Sequence, residues 1–179
     1  MNAKVLALLL FASAAARADK AWTFEPGQAL VSVEIGPEKA RLSATSLGMS
    51  GHVRERTDGS VQAEIRVALA SFATNASAPG QQLKAEAARF PEIVFEGAAP
   101  SSGKDGTLHL DGTLTFHGVS HPLALPVTVV RAAGLTFGHA TLSLHLRDYG
   151  FALPAGVPDE VRVEVDAGLR SEGALLSRG

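Results

Sequence analysis

Alternation with a period of two runs through most of this chain. Val61, Ala63, Ile65, Val67 and Leu69 alternate with Gln62, Glu64 and Arg66, and Leu108 and Leu110 with His109 and Asp111. The same beat recurs at Leu114 and Phe116, at Leu142, Leu144 and Leu146, and at Val161, Val163 and Val165, each set spaced by polar residues. Successive strand side chains point to opposite faces, so every such segment is dry on one side and wet on the other. Parallel sheets covered on both faces show continuous apolar runs instead, so the pattern predicts antiparallel strands. Turn formers separate the runs: Asp58-Gly59, Gly103-Lys104-Asp105-Gly106, Gly118-Val119-Ser120 and Ala132-Ala133-Gly134. The fold class is all-β.

Two segments depart from the alternation. Residues 77–90 hold good helix formers, with Leu83, Ala87 and Phe90 on one face, Ser77 placed as N-cap and Pro91 as terminator. One short helix lying across a sheet is expected there. Residues 1–18 begin with a lysine, continue through the apolar Val5 to Phe11 and end Ala16-Arg17-Ala18, the three parts of a secretory signal peptide. That apolar run is well short of the roughly 20 residues a membrane-spanning helix needs. The chain is therefore divided into a signal peptide over 1–18, a barrel domain over 19–169 and a frayed tail over 170–179, with a periplasmic address and no integral membrane segment after cleavage.

Composition narrows the partners. Lys and Arg number 16 against 18 Asp and Glu, a formal charge of −2, which offers phosphate backbones no basic surface and excludes nucleic acid as the main partner. Hydrophobic residues make up 46% and charged ones 19%, the balance of a folded chain. With no cysteine there are no disulfides, thiolate metal sites or cysteine nucleophiles. Strands this long must deal with their open edges, and closure into a barrel removes them. A barrel of about eight strands either fills with its own side chains or holds one small ligand. The dry faces here are mostly Val, Leu, Ala and Ile, with one Trp and one Tyr, so an apolar hollow is sterically reasonable.

Catalytic and metal chemistry find little support. Ser50 in Gly48-Met49-Ser50-Gly51-His52 lacks the spacing and strand-to-helix context of a nucleophile elbow, and no phosphate-binding Gly-x4-Gly-Lys-Ser/Thr occurs. His117 and His121 are four apart, but they flank a turn in which helical ligand spacing has no meaning. They are read as solvated hairpin residues, and His109 and His145 as surface residues of strands. No catalytic residue, metal ligand or cofactor is assigned, and the chain is read as a non-enzyme.

Three stretches carry a resemblance. Ala88-Arg89-Phe90-Pro91-Glu92-Ile93-Val94-Phe95, then the hairpin from Leu110 to Leu123 with Leu114-Thr115-Phe116-His117-Gly118-Val119-Ser120-His121-Pro122, then Asp148-Tyr149-Gly150-Phe151 closing a late strand. In order and spacing they resemble the YceI-like family of periplasmic, lipocalin-like, polyisoprenoid-binding proteins. The resemblance implies an eight-stranded antiparallel barrel with an isoprenoid or similar amphipathic lipid inside. The lining is placed on Val61, Ile65, Val67, Phe95, Leu114, Phe116, Leu123, Leu125, Val127, Leu142 and Leu144. A charged head group would meet a cation near the barrel mouth, for which Arg131, Arg147, Arg89 and Lys84 are the candidates. Two other readings stay open, a quinone-linked electron-transfer accessory and a ligand-free stress-protective module, and so does a homodimer.

Overall fold

A computed structural model describes residues 19–38, 41–100, 106–132, 135–153 and 155–172, the side chains of Glu25 and Pro26 apart. The signal segment expected over 1–18 lies outside the described residues, as do residues 173–179 of the expected tail. In chain order the elements are β1 (Lys20–Ile35), β2 (Leu42–Ser46), β3 (Met49–Glu55), β4 (Val61–Ala68), β5 (Ala73–Thr74), α1 (Ser77–Ala87), β6 (Glu92–Ala99), β7 (Thr107–Phe116), β8 (Val119–Ala132), β9 (Leu135–His145) and β10 (Glu160–Ser171). Short 3-10 turns stand at Leu69–Ser71 and Leu146–Tyr149. β10 runs two residues beyond Leu169, so Arg170 and Ser171 belong to the barrel.

Eight of the strands close into an antiparallel ring, β1-β10-β9-β8-β7-β6-β4-β3 and back to β1. β1 is the closing strand. One flank pairs with β10 from Trp22↔Ser171 to Ile35↔Val161. The other pairs with β3 through Lys20–Thr23 and with β2 through Val31–Ile35, so β2 and β3 act as one strand interrupted at Leu47 and Gly48. The short β5 extends β2 on its far side. Between Phe24 and Ala29 the β1–β10 register shifts: four residues of β1 stand opposite Gly168 alone. Such a bulge bends a strand and increases its twist, as closure demands. A Cβ on Gly168 would meet the Gln28 side chain at 3.0–3.2 Å, so the bulge packs closely over that position.

Cross-strand pairing keeps the sequence alternation in phase around the ring. Ile65 faces Phe95, Phe95 faces Leu114, and Val163 lies between Leu142 and Val33. These dry faces all point into the barrel, while wet faces such as Arg66, bonded to Glu64 at 2.8 Å and Glu92 at 2.9 Å, point out. β7 and β8 join through a two-residue turn with His117 at φ 53° and Gly118 at φ 77°. Positive φ at both positions is the type I′ geometry whose twist matches antiparallel strands. α1 forms as expected but is entered one residue early. Ala76 is the N-cap and no side chain caps the helix. Thr74 Oγ1 donates to Ala76 O at 2.6 Å and sets that entry, so Ser77 is already helical.

Candidate functional site

The inward faces do not meet in the middle. Two cavities lie along the barrel, of about 220 Å³ and 140 Å³. The first is bounded by Val31, Val33, Ile35, Val67, Ile93, Phe116, Leu142, Leu144 and Val163 and capped by α1 through Pro79, Gln82 and Leu83 and by Phe151, Leu153 and Val157. The second occupies the opposite end, between Trp22, Phe24, Val53, Leu108, Val127, Val129 and Leu169. Met49, Ile65, Leu125 and Val165 line both and form a waist between them. For scale, an apolar void of about 150 Å³ stays dry and accepts benzene.

The eleven residues assigned to the lining from sequence all face this hollow. Val67, Phe95, Leu114, Phe116, Leu123, Leu142 and Leu144 line the first chamber, Val61 and Val127 the second, and Ile65 and Leu125 both. Sequence reasoning left out the contributions of β1 and β10, although Val161, Val163 and Val165 carried the same period-two signal. It could not find the roof residues, because docking of α1 and of residues 151–157 onto the barrel end is not a periodicity.

The polar groups of the lining differ between the two ends. In the first chamber they are already engaged. Asn75 Oδ1 accepts from Ser43 N at 3.0 Å and its Nδ2 donates to Arg41 O at 3.0 Å, while Gln82 Nε2 donates to Ala152 O at 2.6 Å. In the second, Glu55 pairs with Lys20 at 3.9 Å, and Arg131 lines the mouth with no ionic or hydrogen-bond partner among the described residues. The four cations proposed for a head group therefore do not converge. Arg131 alone lines a chamber. Lys84 is exposed on α1, Arg89 lies with its guanidinium 5.1 Å from the Phe90 ring centre, and Arg147 is exposed on the 3-10 turn.

The two hairpin histidines are engaged by the protein, contrary to the sequence expectation, with His117 largely withdrawn from solvent and His121 half-buried. His117 Nε2 lies 2.9 Å from Glu86 Oε2 of α1 and Nδ1 3.2 Å from Tyr149 O, and only 16% of its side chain is exposed. Its ring packs on Phe90, with 4.2 Å between centroids, and on Phe151. His121 Nε2 donates to Asp148 O at 3.0 Å, its ring edge-on to Tyr149. The cause is tertiary. A left-handed backbone at His117 turns the imidazole back under α1, and the 3-10 turn folds down over β8. Burial, with a smaller contribution from the Asp148 charge, pushes the Tyr149 phenol above its ordinary value. His109 and His145 are exposed, as expected. Among the described residues a metal-sized group occurs at His139, Glu164 and Asp166, on the outer face of β9 and β10 and outside the lumen.

Comparison with known proteins agrees with this architecture. The sequence profile of the YceI-like domain matches residues 22–169. Among solved structures, BcnA of Burkholderia cenocepacia superposes with a TM-score of 0.71 at 18% identity, over 81% of this chain and 98% of that one. A polyisoprenoid-binding domain from Saccharophagus degradans, implicated in plant cell wall breakdown, gives 0.66 at 15% identity, over 84% and 98%. The Campylobacter jejuni YceI protein gives 0.57 at 14% identity, over 70% and 82%. None of the curated proteins matches the chain.

Proposed function

The chain belongs to the YceI-like family, and from that we infer that its barrel is a non-catalytic carrier for an isoprenoid or similar amphipathic lipid. The observation that carries this reading is the hollow itself. Two apolar chambers meet end to end at a waist, which suits a long, narrow chain better than a compact ligand. Each buried methylene contributes about 0.8 kcal/mol, so such a chain gains affinity from length and requires few polar contacts. The Saccharophagus degradans relative, a polyisoprenoid-binding domain, supports the same class of cargo. Arg131 is the contact we assign to the polar end of the ligand, because it lines a chamber and its side chain has no partner among the described residues.

The working compartment we propose is the periplasm, reached through the signal-like segment at residues 1–18. Among the described residues no helix is long and apolar enough to cross a membrane. Native mass spectrometry of protein purified from its own cell envelope tests the assignment. A bound mass that fragments as a long apolar chain is expected. A bare polypeptide mass, together with failure of a fluorescent apolar probe to bind, would overturn it.

A further inference from the structure

The end of the first chamber is closed by α1 together with Phe151, Leu153 and Val157, a roof carried by one helix and one connecting segment and the simplest part of the enclosure to lift for ligand entry. That roof is lightly held. α1 has no fully buried residue and packs on the core mainly through Leu83 and Ala87. One polar tie is Gln82 to Ala152 O. Another is His117, which joins the β7–β8 hairpin to Glu86 on α1 and to Tyr149 on the 3-10 turn.

Both partners of His117 are acceptors. A peptide carbonyl carries no proton and an ionised carboxylate carries none, whereas neutral imidazole offers one N–H and one lone pair. The two bonds at 2.9 and 3.2 Å can therefore form together only with one proton more than a neutral ring and an ionised Glu86 supply. That proton sits on an imidazolium facing a carboxylate or on a carboxyl facing a neutral ring, and the total is the same. Glu86 is one residue from the C-terminus of α1, where the helix dipole favours a cation beside it.

We propose that His117 and Glu86 form a proton-dependent latch on the roof of the first chamber: uptake of one proton closes it, and loss of that proton loosens α1 and speeds ligand exchange. The role in ligand exchange rests on the carrier reading; the latch itself does not. Other titratable or charged groups near His117 on the elements packed around it are Lys84 in the last turn of α1 and exposed, Arg89 just beyond that helix, Arg147, Asp148 and the Tyr149 phenol on the 3-10 turn, and His121 on β8. Among these, the Arg89 guanidinium is over Phe90 and His121 is committed to Asp148 O. Glu86 is the charged side chain bonded to His117.

The test uses the whole mature protein with N-phenyl-1-naphthylamine as the apolar probe. Ring nitrogen shifts of His117 are followed by NMR across pH, alongside the probe's dissociation rate and amide exchange of α1, the latter corrected for its intrinsic pH dependence. In the native protein the dissociation rate should rise about tenfold or more as His117 loses its proton, the factor expected for losing one charge-assisted hydrogen bond. α1 amide protection should fall with the same midpoint. His117→Asn, chosen because Asn tolerates the positive φ, should exchange fast at every pH, whereas Glu86→Gln, whose amide donates to a neutral ring or accepts from a protonated one, should exchange slowly at every pH; neither should show the step. A dissociation rate and α1 protection that stay flat across the His117 titration would overturn the latch, as would an unchanged step in Glu86→Gln. If the probe binds at no pH, the carrier reading fails, while α1 protection still decides the latch.

Discussion

Val165 sits at the waist where the two chambers meet, facing inward from β10 opposite Val31 and Ala140. Val165→Phe asks whether the hollow is real and whether a chain passes through it. In a close-packed interior the extra bulk is expected to destabilise by about 1–3 kcal/mol. At this size, each such kcal/mol lowers Tm by about 2–4 °C. In a hollow the ring enters empty space and covers apolar wall, so the added carbons gain about 25 cal/mol per Å² of apolar surface they bury beyond what Val165 already covers. Tm is thus expected to hold or rise. Binding should respond in the opposite sense. A chain denied four carbons beyond the waist loses about 3 kcal/mol at 0.8 per methylene, about 200-fold in Kd. Short chains that fit one chamber should bind as before. The assay is displacement of an apolar fluorescent probe by isoprenoid alcohols of increasing length, beside a thermal melt. Affinity should climb with length in the native protein and level off early in the variant. A fall in Tm combined with unchanged length dependence would refute the reasoning, since the waist would then be packed core.

Three further outcomes are expected. Phe116 is 6% exposed and its ring lies 5.4 Å from Phe151 and 5.8 Å from Tyr149, so Phe116→Ala should cost about 3 kcal/mol or more in a urea titration; a loss below about 1 kcal/mol would show that this cluster does not hold the barrel end. Gly112 faces Gly97 across β6 and β7, and a Cβ there would run into the Glu96 carbonyl and the Gly97 Cα, so Gly112→Ala should lower Tm by several degrees whereas Gly59→Ala, at an open turn, should act only through its positive φ. The single tyrosine, Tyr149, should ionise above 10.0 in the folded protein and return to that value in urea, read by absorbance at alkaline pH. Because the folded value is the raised one, the associated stability is present below the unfolded value and is lost as pH climbs through the folded value.

Much of the fold was legible because it was local. The alternation in β4, β7, β9 and β10 assigned each side chain to a face, and the structure keeps those faces in phase around the ring. β1 was harder to read. The extra residues between Phe24 and Ala29 break its rhythm, and its partner β10 lies at the other end of the chain, so closure is written in a long-range pairing. Residue type misled at the hairpin. Histidines beside a Gly turn read as solvated, yet the left-handed φ of His117 and the docking of α1 put it under a helix. The cations told the same story. Four adjoined turns or the helix in the sequence, but only Arg131 has an inward register that brings it to a chamber.

Taken alone, the sequence determined that the strands are two-faced and antiparallel and which side chains are dry, because a strand's period is a property of neighbouring residues. Whether the dry faces would fill the centre was decided only in three dimensions. The free volume depends on strand number and stagger, which set the radius, and on the summed bulk of side chains arriving from every strand at one level. The same holds for the roof, whose latch joins residues 31 and 32 positions apart in the chain and exists only once the ring has closed.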